Sequence, residues 1–430
     1  MKRTFRSFPI QHFPETKKQV LHWCHQSGTC VFLDNQQYDL SYRQHECLAA
    51  AGIRHMIRLD AGNALHELQK FIDTHGDWCF GHIGYGLKSE TEFVDNTLPN
   101  RSGFPDLFFF IPEVVIRLDA GEIHIGSFNL NHEEVFKEIS SITHYRYLQY
   151  TSSFSVIQSM DKQAYIEKIQ RIKSHILRGD CYELNYCIEY YAEQADVDPL
   201  YLYEQLVNLS PNPFSAYYRS QDLYLACASP ERYMSKKADR IFSQPIKGTI
   251  RRNRQDPEED ERLKSHLSKS SKERSENVMV VDLVRNDLSR VCMPSSVKVD
   301  ELFMVHTFPH LHHMISTVSG RLQHDKTFTD IIRSTFPMGS MTGAPKKRVL
   351  ELIEAYEPTA RGLFSGTLGY ITPEGDFDFN VVIRSIVYNQ SAKYLSYHVG
   401  SGITGYADPE QEYAECLLKA EAIAQILKES

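Results

Sequence analysis

A lysine held between proline and glycine is the first candidate for chemistry. Lys247 lies in the segment PIKGT (245–249), and Arg251, Arg252 and Arg254 follow closely. A free lysine has a pKa of about 10.4, so a nucleophilic role requires burial or cationic neighbours that lower its pKa. The arginines predict such a lowering, and Glu231 could carry protons if the fold brings it close. A solvated turn lysine is the usual alternative.

The helix predicted over 270–288 aligns two carboxylates with its apolar face. Glu276 and Asp287 fall on the same side as Val280 and Val284. An unpaired buried charge is costly, so each carboxylate needs a partner. An internal salt bridge and a functional site are equally good interpretations of this face.

The helix predicted over 409–427 carries Glu412, Glu415 and Lys419 on one flank. Acidic side chains in a first turn often only oppose the helix dipole, so this helix by itself favours a structural role. Together with Glu276, however, Glu415 would offer the oxygen ligands that Mg²⁺ prefers, with substrate and water completing the octahedron. The sequence therefore predicts a magnesium site if the fold joins the two helices.

Two glycine-containing loops and three further side chains complete the candidates. In the loop at 339–346, glycines would let backbone N–H groups approach an anion, although its spacing differs from that of a Walker A motif. The loop at 400–402 follows a predicted strand, and a plain tight loop is an equally good interpretation of each segment. Arg384 could clamp a carboxylate or lie on the surface. His312 and His313 are adjacent in a predicted strand, so at most one of them faces a given site.

The elements that must position these residues alternate between strands and long helices. Short apolar runs bounded by turn residues predict strands at 107–111 and 114–118. Further strands, several of them with period-two alternation, are predicted at 182–191, 223–228, 366–371, 377–388 and 394–399. The predicted helices are 162–178, 270–288, 345–355 and 409–427. Short turns between strands indicate antiparallel hairpins, so the predicted fold class is α+β. A segment rich in Ser and Thr at 150–159 predicts a boundary between a strand-rich region over 1–150 and a catalytic region over 151–430.

Composition excludes several classes of protein. The 430 residues include 47 basic and 55 acidic side chains, and the net charge of -8 argues against a nucleic-acid partner. No run of about 18 apolar residues predicts a membrane span, and residues 1–10 lack the apolar core of a signal peptide, so we expect a cytoplasmic protein. Nine cysteines without a CxxC pair fit neither a disulfide framework nor a thiolate metal site.

Ordered motifs over residues 150–430 resemble the chorismate-utilising enzymes. This family includes the anthranilate, isochorismate and salicylate synthases and the enzymes that form 4-amino-4-deoxychorismate. The motifs that carry the resemblance are SPERY, PIKGT, SENVMVVDLVRNDLSR, HHMIST, FPMGSMTGAPKKR, GTLGY, VVIRS, GSGIT and EYAECLLKA. The resemblance implies the fold of the family, two large antiparallel sheets stacked as a sandwich with flanking helices.

The resemblance also implies a reaction. The variable residue of the P-I-x-G-T motif is alanine in anthranilate synthases and lysine in the enzymes that form 4-amino-4-deoxychorismate, and here it is Lys247. The implied reaction is attack of the Lys247 amine on C2 of chorismate with loss of the C4 hydroxyl, then addition of ammonia at C4 and release of the lysine. The product would enter 4-aminobenzoate and folate biosynthesis.

The same resemblance assigns roles to the other candidates. It makes Glu231 the general acid/base, places His313 near the ring, and implies that Glu276 and Glu415 hold Mg²⁺ with support from Glu412. The implied substrate contacts are Gly248, Thr249, Ser340, Gly343, Phe364, Arg384, Gly400, Ser401, Gly402 and Lys419.

The chain departs from the family pattern at three positions. Glu183 stands where glutamine is usual, Phe364 where tyrosine or tryptophan is usual, and Cys416 where threonine is usual, and none of these removes an implied catalytic role. No glutaminase region is recognisable, so we expect a separate glutamine amidotransferase subunit to supply ammonia. Isochorismate-forming relatives use a lysine base in the segment corresponding to 181–190, which contains no lysine. The alternatives are an anthranilate synthase component I, which Lys247 disfavours, and a non-catalytic chorismate-binding regulatory protein.

Overall fold

A computed structural model describes residues 2–38, 45–145, 147, 154–308 and 311–429 of the protein. The first part of the predicted boundary, 150–153, lies outside these residues. In chain order the strands are β1 (Thr4–Pro9), β2 (Thr29–Asp34), β3 (Cys47–Ala51), β4 (His55–Leu59), β5 (Cys79–Ile83), β6 (Leu107–Ile111), β7 (Val114–Leu118), β8 (Glu122–Ser127), β9 (Ile157–Gln158), β10 (Glu183–Ala192), β11 (Phe214–Ser220), β12 (Leu223–Ser229), β13 (Arg232–Lys237), β14 (Arg240–Gln244), β15 (Ile246–Arg251), β16 (Lys298–Thr307), β17 (Leu311–Arg321), β18 (Gly343–Ala344), β19 (Thr367–Ile371), β20 (Phe377–Asn380), β21 (Ser385–Asn389) and β22 (Tyr394–Thr404).

Antiparallel pairing organises these strands into two sheets. Within the described residues, the larger sheet has 12 strands in the order β1-β8-β7-β3-β2-β11-β12-β21-β22-β10-β18, with β9 paired to β10. The smaller has 10 strands in the order β15-β17-β14-β13-β20-β19-β5-β6-β4, with β16 paired to β17. Strands from 1–150 extend both sheets, since β2 pairs with β11 and β5 pairs with β19. The division at residue 150 stays a prediction.

Helices cover the outer faces of the sheets. They are α1 (Phe13–His25), α2 (Ala64–His75), α3 (Lys88–Thr91), α4 (His132–Ser141), α5 (Lys162–Leu177), α6 (Pro199–Leu209), α7 (Pro257–Lys269), α8 (Ser271–Ser289), α9 (Phe328–Thr335), α10 (Lys346–Tyr356) and α11 (Pro409–Glu429). None of the helices in the described ranges is long and apolar enough to cross a membrane.

Three apolar clusters hold the layers together. One joins the larger sheet to α1, α4, α5, α6, α10 and α11, and a second joins the smaller sheet to α2, α8 and α9. The third lies between the two sheets and includes Phe80, Phe110 and Tyr218. Burial of this apolar area is the main force that stacks the sheets. The predicted α+β sandwich with flanking helices is confirmed.

The single strand predicted at 377–388 is wrong, because the structure has two strands there, β20 and β21, separated by residues 381–384. The hairpin of β19 and β20 forms as predicted, but the chain then leaves the smaller sheet and enters the larger one as β21. Arg384 has a φ of 52°, which interrupts the extended backbone at this crossover. Both strands are buried, so the apolar pattern runs through the crossover without a visible break.

Candidate active site

A cavity of about 730 Å³ lies where β15, β17 and β22 meet α8, α11 and the 381–384 crossover. All of the residues predicted for the site fall within the described ranges, and all except Gly343 line this cavity. The predicted residues that line it are Glu231, Lys247, Gly248, Thr249, Glu276, His313, Ser340, Phe364, Arg384, Gly400, Ser401, Gly402, Glu412, Glu415 and Lys419. Their spread from 231 to 419 means that folding, rather than sequence proximity, assembles the site.

Gly343 serves strand pairing instead of the cavity. It lies opposite Leu184 where β18 pairs with β10. Its φ is 144°, and a Cβ at this position would lie 2.0 Å from the backbone oxygen of Glu183. The close approach of two backbones therefore requires glycine here, and the substrate contact at Gly343 stays a prediction.

Lys247 extends from β15 into a group of carboxylates. Its Nζ donates a hydrogen bond to Glu183 Oε1 at 2.6 Å and lies 3.8 Å from Glu276 Oε2. Burial lowers the pKa of Lys247, but Glu183, Glu276 and Glu231 outweigh burial and raise the pKa above its usual value. The prediction that neighbouring arginines lower this pKa is wrong, because carboxylates face the amine.

Glu231 immediately precedes β13 and is almost fully enclosed, with 5% of its surface exposed. Its backbone oxygen accepts a hydrogen bond from the N–H of Val381, which ties it to the crossover between the sheets. Burial raises the pKa of the Glu231 carboxyl to about 7. A carboxyl with a pKa near neutrality can both donate and accept a proton at physiological pH.

The two adjacent histidines point to opposite faces of β17, as predicted. The Nδ1 atom of His313 lies 2.8 Å from Thr249 Oγ1 on β15. Its Nε2 is buried and has no hydrogen-bond partner among the described residues. Burial and then Arg384 lower the pKa of His313 to about 3, so the ring is neutral. His312 faces away from the cavity, with Nε2 3.0 Å from Asp260 Oδ1.

Glu276 on α8 and Glu412 and Glu415 on α11 form the acidic wall of the cavity. Lys272 connects the two helices, because its Nζ lies 3.5 Å from Glu412 Oε1 and 4.0 Å from Glu276 Oε1. Lys419 Nζ lies 2.7 Å from Glu415 Oε1. Burial raises the pKa of Glu276 to about 7. Burial also raises the pKa of Glu415, but Lys419, Lys272 and Lys247 together outweigh burial and the net direction is downward.

The sequence left two interpretations of the α8 face, an internal salt bridge and a functional site. Each of its two carboxylates fits one of them. Asp287 forms an internal salt bridge, with Oδ2 2.7 Å from Lys346 Nζ. Glu276 faces the cavity, and its buried Oε1 has no hydrogen-bond partner among the described residues. A buried carboxylate oxygen without a partner is costly, so it indicates a place for a ligand.

The acidic wall can supply one or two of the ligands of a hard cation, and the other ligands would come from outside the protein. Across the described ranges, no group of three or more His, Cys, Asp or Glu side chains is arranged to hold a metal ion by itself. Mg²⁺ is usually held by one or two carboxylates together with substrate and water. Glu276 and Glu415 match that donor set, since both face the cavity that would contain the substrate.

Comparison with known proteins agrees with the motifs. Residues 26–425 match the model of the chorismate binding enzyme family. The chain belongs to this family.

Its relatives include synthases from bacteria and plants. The chain is 36% identical over 393 residues to aminodeoxychorismate synthase component 1 of Bacillus subtilis, covering 86% of this chain and 82% of that protein. It is 34% identical over 401 residues to the probable chloroplastic aminodeoxychorismate synthase of Oryza sativa subsp. japonica, covering 83% of this chain. The match spans only 44% of the length of the rice protein. Anthranilate synthase component I from Streptococcus pneumoniae TIGR4 shares the fold, with a TM-score of 0.76 at 24% identity over 90% of this chain and 94% of that one.

The sequence did not point to two residues that line the cavity, His398 and Asn185, nor to the role of Glu183 beside it. His398 lines the cavity and stacks on Phe364 with 5.0 Å between ring centroids. It lies two residues before Gly400 on β22, so strand alternation could have found it. Asn185 also lines the cavity. Glu183 was noted for its sequence departure, and the signal missed there was that a buried carboxylate in place of an amide needs a cation.

Proposed function

We propose that the protein converts chorismate and ammonia to 4-amino-4-deoxychorismate, in 4-aminobenzoate and folate biosynthesis. The observation that supports this most directly is the position of Lys247 and Glu231, which line one cavity together with Glu276 and Glu415. A primary amine, a carboxyl of near-neutral pKa and two candidate metal ligands are the groups that this reaction needs. The proposal also agrees with the names of the Bacillus and rice relatives, both of which are aminodeoxychorismate synthases.

In the proposed reaction the lone pair of Lys247 Nζ attacks ring C2, and the C4 hydroxyl leaves as water with a proton from Glu231. Ammonia then forms a bond to C4, the bond between C2 and Nζ breaks to release the lysine as a neutral amine, and the new ammonium group returns a proton to Glu231. Chorismate plus ammonia thus gives 4-amino-4-deoxychorismate plus water. Lys247 must release a proton before it attacks, because carboxylates hold it in the charged form.

Chorismate carries two carboxylates, and the cavity offers donors for them. Arg384 can pair bidentately with one carboxylate. Lys419 extends along the cavity wall, where its Nζ donates a hydrogen bond to the backbone oxygen of Gly400 at 2.8 Å. The backbone at Ser401 and Gly402 and the Ser340 hydroxyl line the same cavity. His313, which is neutral, would lie against the ring.

We assign Glu276 and Glu415 as ligands of Mg²⁺, with Glu412 in support. Two observations support this assignment. Glu276 Oε1 has no hydrogen-bond partner among the described residues, and Glu276 and Glu415 line the same cavity. When bound, the ion would neutralise a substrate carboxylate and lower the cost of enclosing a dianion.

Ammonia is proposed to come from a separate glutamine amidotransferase subunit. The Bacillus relative is named as component 1, which supports a second subunit.

A reducing, cytoplasmic location is also proposed. It is supported by the nine cysteines, all of which lie in the described ranges and are free and buried.

Product identification tests the proposed function. The purified protein is incubated with chorismate, MgCl₂ and an ammonium salt, and products are identified by mass spectrometry. We expect 4-amino-4-deoxychorismate, which a lyase added afterwards converts to 4-aminobenzoate, and no product without ammonium. Anthranilate would reject amination at C4 and favour the anthranilate synthase alternative. Chorismate binding without conversion would favour the regulatory alternative.

A further inference from the structure

We infer that Glu183 is a positioning residue that holds the Lys247 amine at the cavity wall. This inference rests on the proposed function, because that function makes Lys247 the nucleophile. Glu183 lies on β10 of the larger sheet, whereas Lys247 lies on β15 of the smaller sheet, 64 residues away. Their contact therefore links the two sheets at the point where the reaction would occur.

The geometry of the contact is that of a strong charge-assisted hydrogen bond. Lys247 Nζ donates to Glu183 Oε1 at 2.6 Å, and such bonds are shorter and stronger than neutral ones. Glu183 is 3% exposed, and its Oε2 has no hydrogen-bond partner among the described residues. An uncompensated charge this deep would be costly, so the lysine is the cation that offsets it.

Glu183 lies behind the lysine, away from the space for substrate. Lys247 and Glu276 line the cavity, whereas Glu183 is absent from the described residues that line it. A ligand in the cavity would compete for Glu276, which is 3.8 Å from Nζ. The same ligand leaves the contact with Glu183 in place. Glu183 therefore fixes the direction of the amine while substrate is bound, and orientation of this kind contributes strongly to rate.

The backbone next to the pair is adapted to it. A Cβ on Gly402 would lie 2.6 Å from Glu183 Oε1 and 3.1 Å from Lys247 Nζ. Gly402 lies on β22 opposite Asn185 of β10. Any larger residue at 402 would push the carboxylate and the amine apart, so this glycine provides the space in which they meet.

The kinetic test compares Glu183→Ala and the isosteric Glu183→Gln with Glu189→Ala and Glu189→Gln. Glu189 is a matched control, because it is a buried glutamate on the same strand that accepts a hydrogen bond from Tyr394 Oη at 2.7 Å. We expect Glu183→Ala to lower kcat about tenfold or more while KM for chorismate changes less than about twofold. Glu183→Gln, which keeps an acceptor oxygen in place, should retain more activity than Glu183→Ala. The Glu189 variants should keep the kcat of the unmodified protein.

A labelling test reports, without turnover, whether Glu183 holds the amine in its hydrogen-bonded, charged form, because acetic anhydride acylates only a free amine. A brief pulse of acetic anhydride acetylates accessible lysines, and peptide mass spectrometry gives the rate at Lys247 relative to Lys419. We expect the Lys247 rate to rise several-fold in Glu183→Ala, to rise less in Glu183→Gln, and to stay unchanged in the Glu189 variants. If Glu183→Ala fails to fold, Glu183→Gln carries both measurements.

Three results would overturn the inference. They are an unchanged kcat and labelling rate in the Glu183 variants, a loss confined to KM, and equal losses in the Glu189 variants with a matching fall in unfolding temperature. If the unmodified protein forms no 4-amino-4-deoxychorismate, the proposed function fails, whereas the labelling rates still report whether Glu183 positions Lys247.

Discussion

Thr249 and His313 lie directly opposite each other on β15 and β17, with Thr249 Oγ1 2.8 Å from His313 Nδ1. This hydrogen bond fixes the imidazole ring of His313, which lines the cavity and whose buried Nε2 has no hydrogen-bond partner in the described part of the chain. Burial and the guanidinium of Arg384 keep the ring neutral. One hydroxyl on a neighbouring strand therefore orients a ring that would otherwise rotate.

Thr249→Val should lower kcat/KM about fivefold, because it removes the hydrogen bond that orients His313 while keeping the shape of the side chain. Thr307→Val is the matched control, since Thr307 Oγ1 makes the same contact at 3.0 Å with His312, which faces away from the cavity. Steady-state kinetics with chorismate as the varied substrate measure both. Equal kinetic losses in the two variants would contradict a role for the Thr249 contact in the reaction.

Loss of the Glu231 proton should make kcat fall at alkaline pH. Burial raises its pKa to about 7, so a proton donor at this position is lost above that pH, and kcat should fall about tenfold per pH unit. Glu231→Gln should lower kcat on the order of a hundredfold at pH 6. A Glu231→Gln variant that keeps both the activity and the alkaline fall would remove Glu231 from the mechanism.

The same carboxyl should also affect stability. Its pKa in the folded protein, about 7, is above the usual value of 4.5, so the folded protein binds the extra proton between these values. The free energy of unfolding therefore decreases as pH rises from about 4.5 to about 7, by on the order of 3 kcal/mol. Urea unfolding at pH 4 and pH 8 should show a decrease that is smaller in Glu231→Gln than in the unmodified protein by on the order of 3 kcal/mol, since Glu276 with its own raised pKa remains in both. Parallel pH profiles of the two proteins would contradict the raised pKa.

Lys247→Ala should abolish formation of 4-amino-4-deoxychorismate or redirect chorismate to another product. It also leaves the buried Glu183 without its cation, so the free energy of unfolding should fall on the order of 3 kcal/mol. The double variant Lys247→Ala, Glu183→Gln should recover much of that stability and none of the activity. Product analysis by mass spectrometry and urea unfolding measure the two effects separately. Unchanged turnover in the single variant would exclude Lys247 as the nucleophile.

Removal of Mg²⁺ should stop turnover. EDTA is expected to abolish activity, and added MgCl₂ to restore it. Glu276→Gln and Glu415→Gln should raise the Mg²⁺ concentration for half-maximal activity on the order of tenfold or more. Glu410→Gln, an exposed change in the first turn of α11, is the control and should leave that concentration unchanged. Full activity in EDTA would reject the metal assignment.

The local elements follow from the amino-acid sequence without reference to the rest of the fold. Strands β6 and β7 begin and end where the short apolar runs predicted. The cap of α11 forms from Asp408 Oδ1, which accepts hydrogen bonds from the N–H groups of Glu410 and Gln411. The motifs also determined which residues gather at the site. These features depend on the periodicity and side chains of neighbouring residues, so a linear chain displays them.

Contacts between distant segments set the charge state of Lys247, the strand-pairing role of Gly343 and the crossover that divides β20 from β21. The nearby arginines indicated a lowered pKa for Lys247, but Glu183, which is distant in sequence, faces the amine and helps raise it. The pKa of a buried group depends on the charges that other elements bring within a few ångströms. No pattern within one segment contains that information, because the partners come from different strands and sheets.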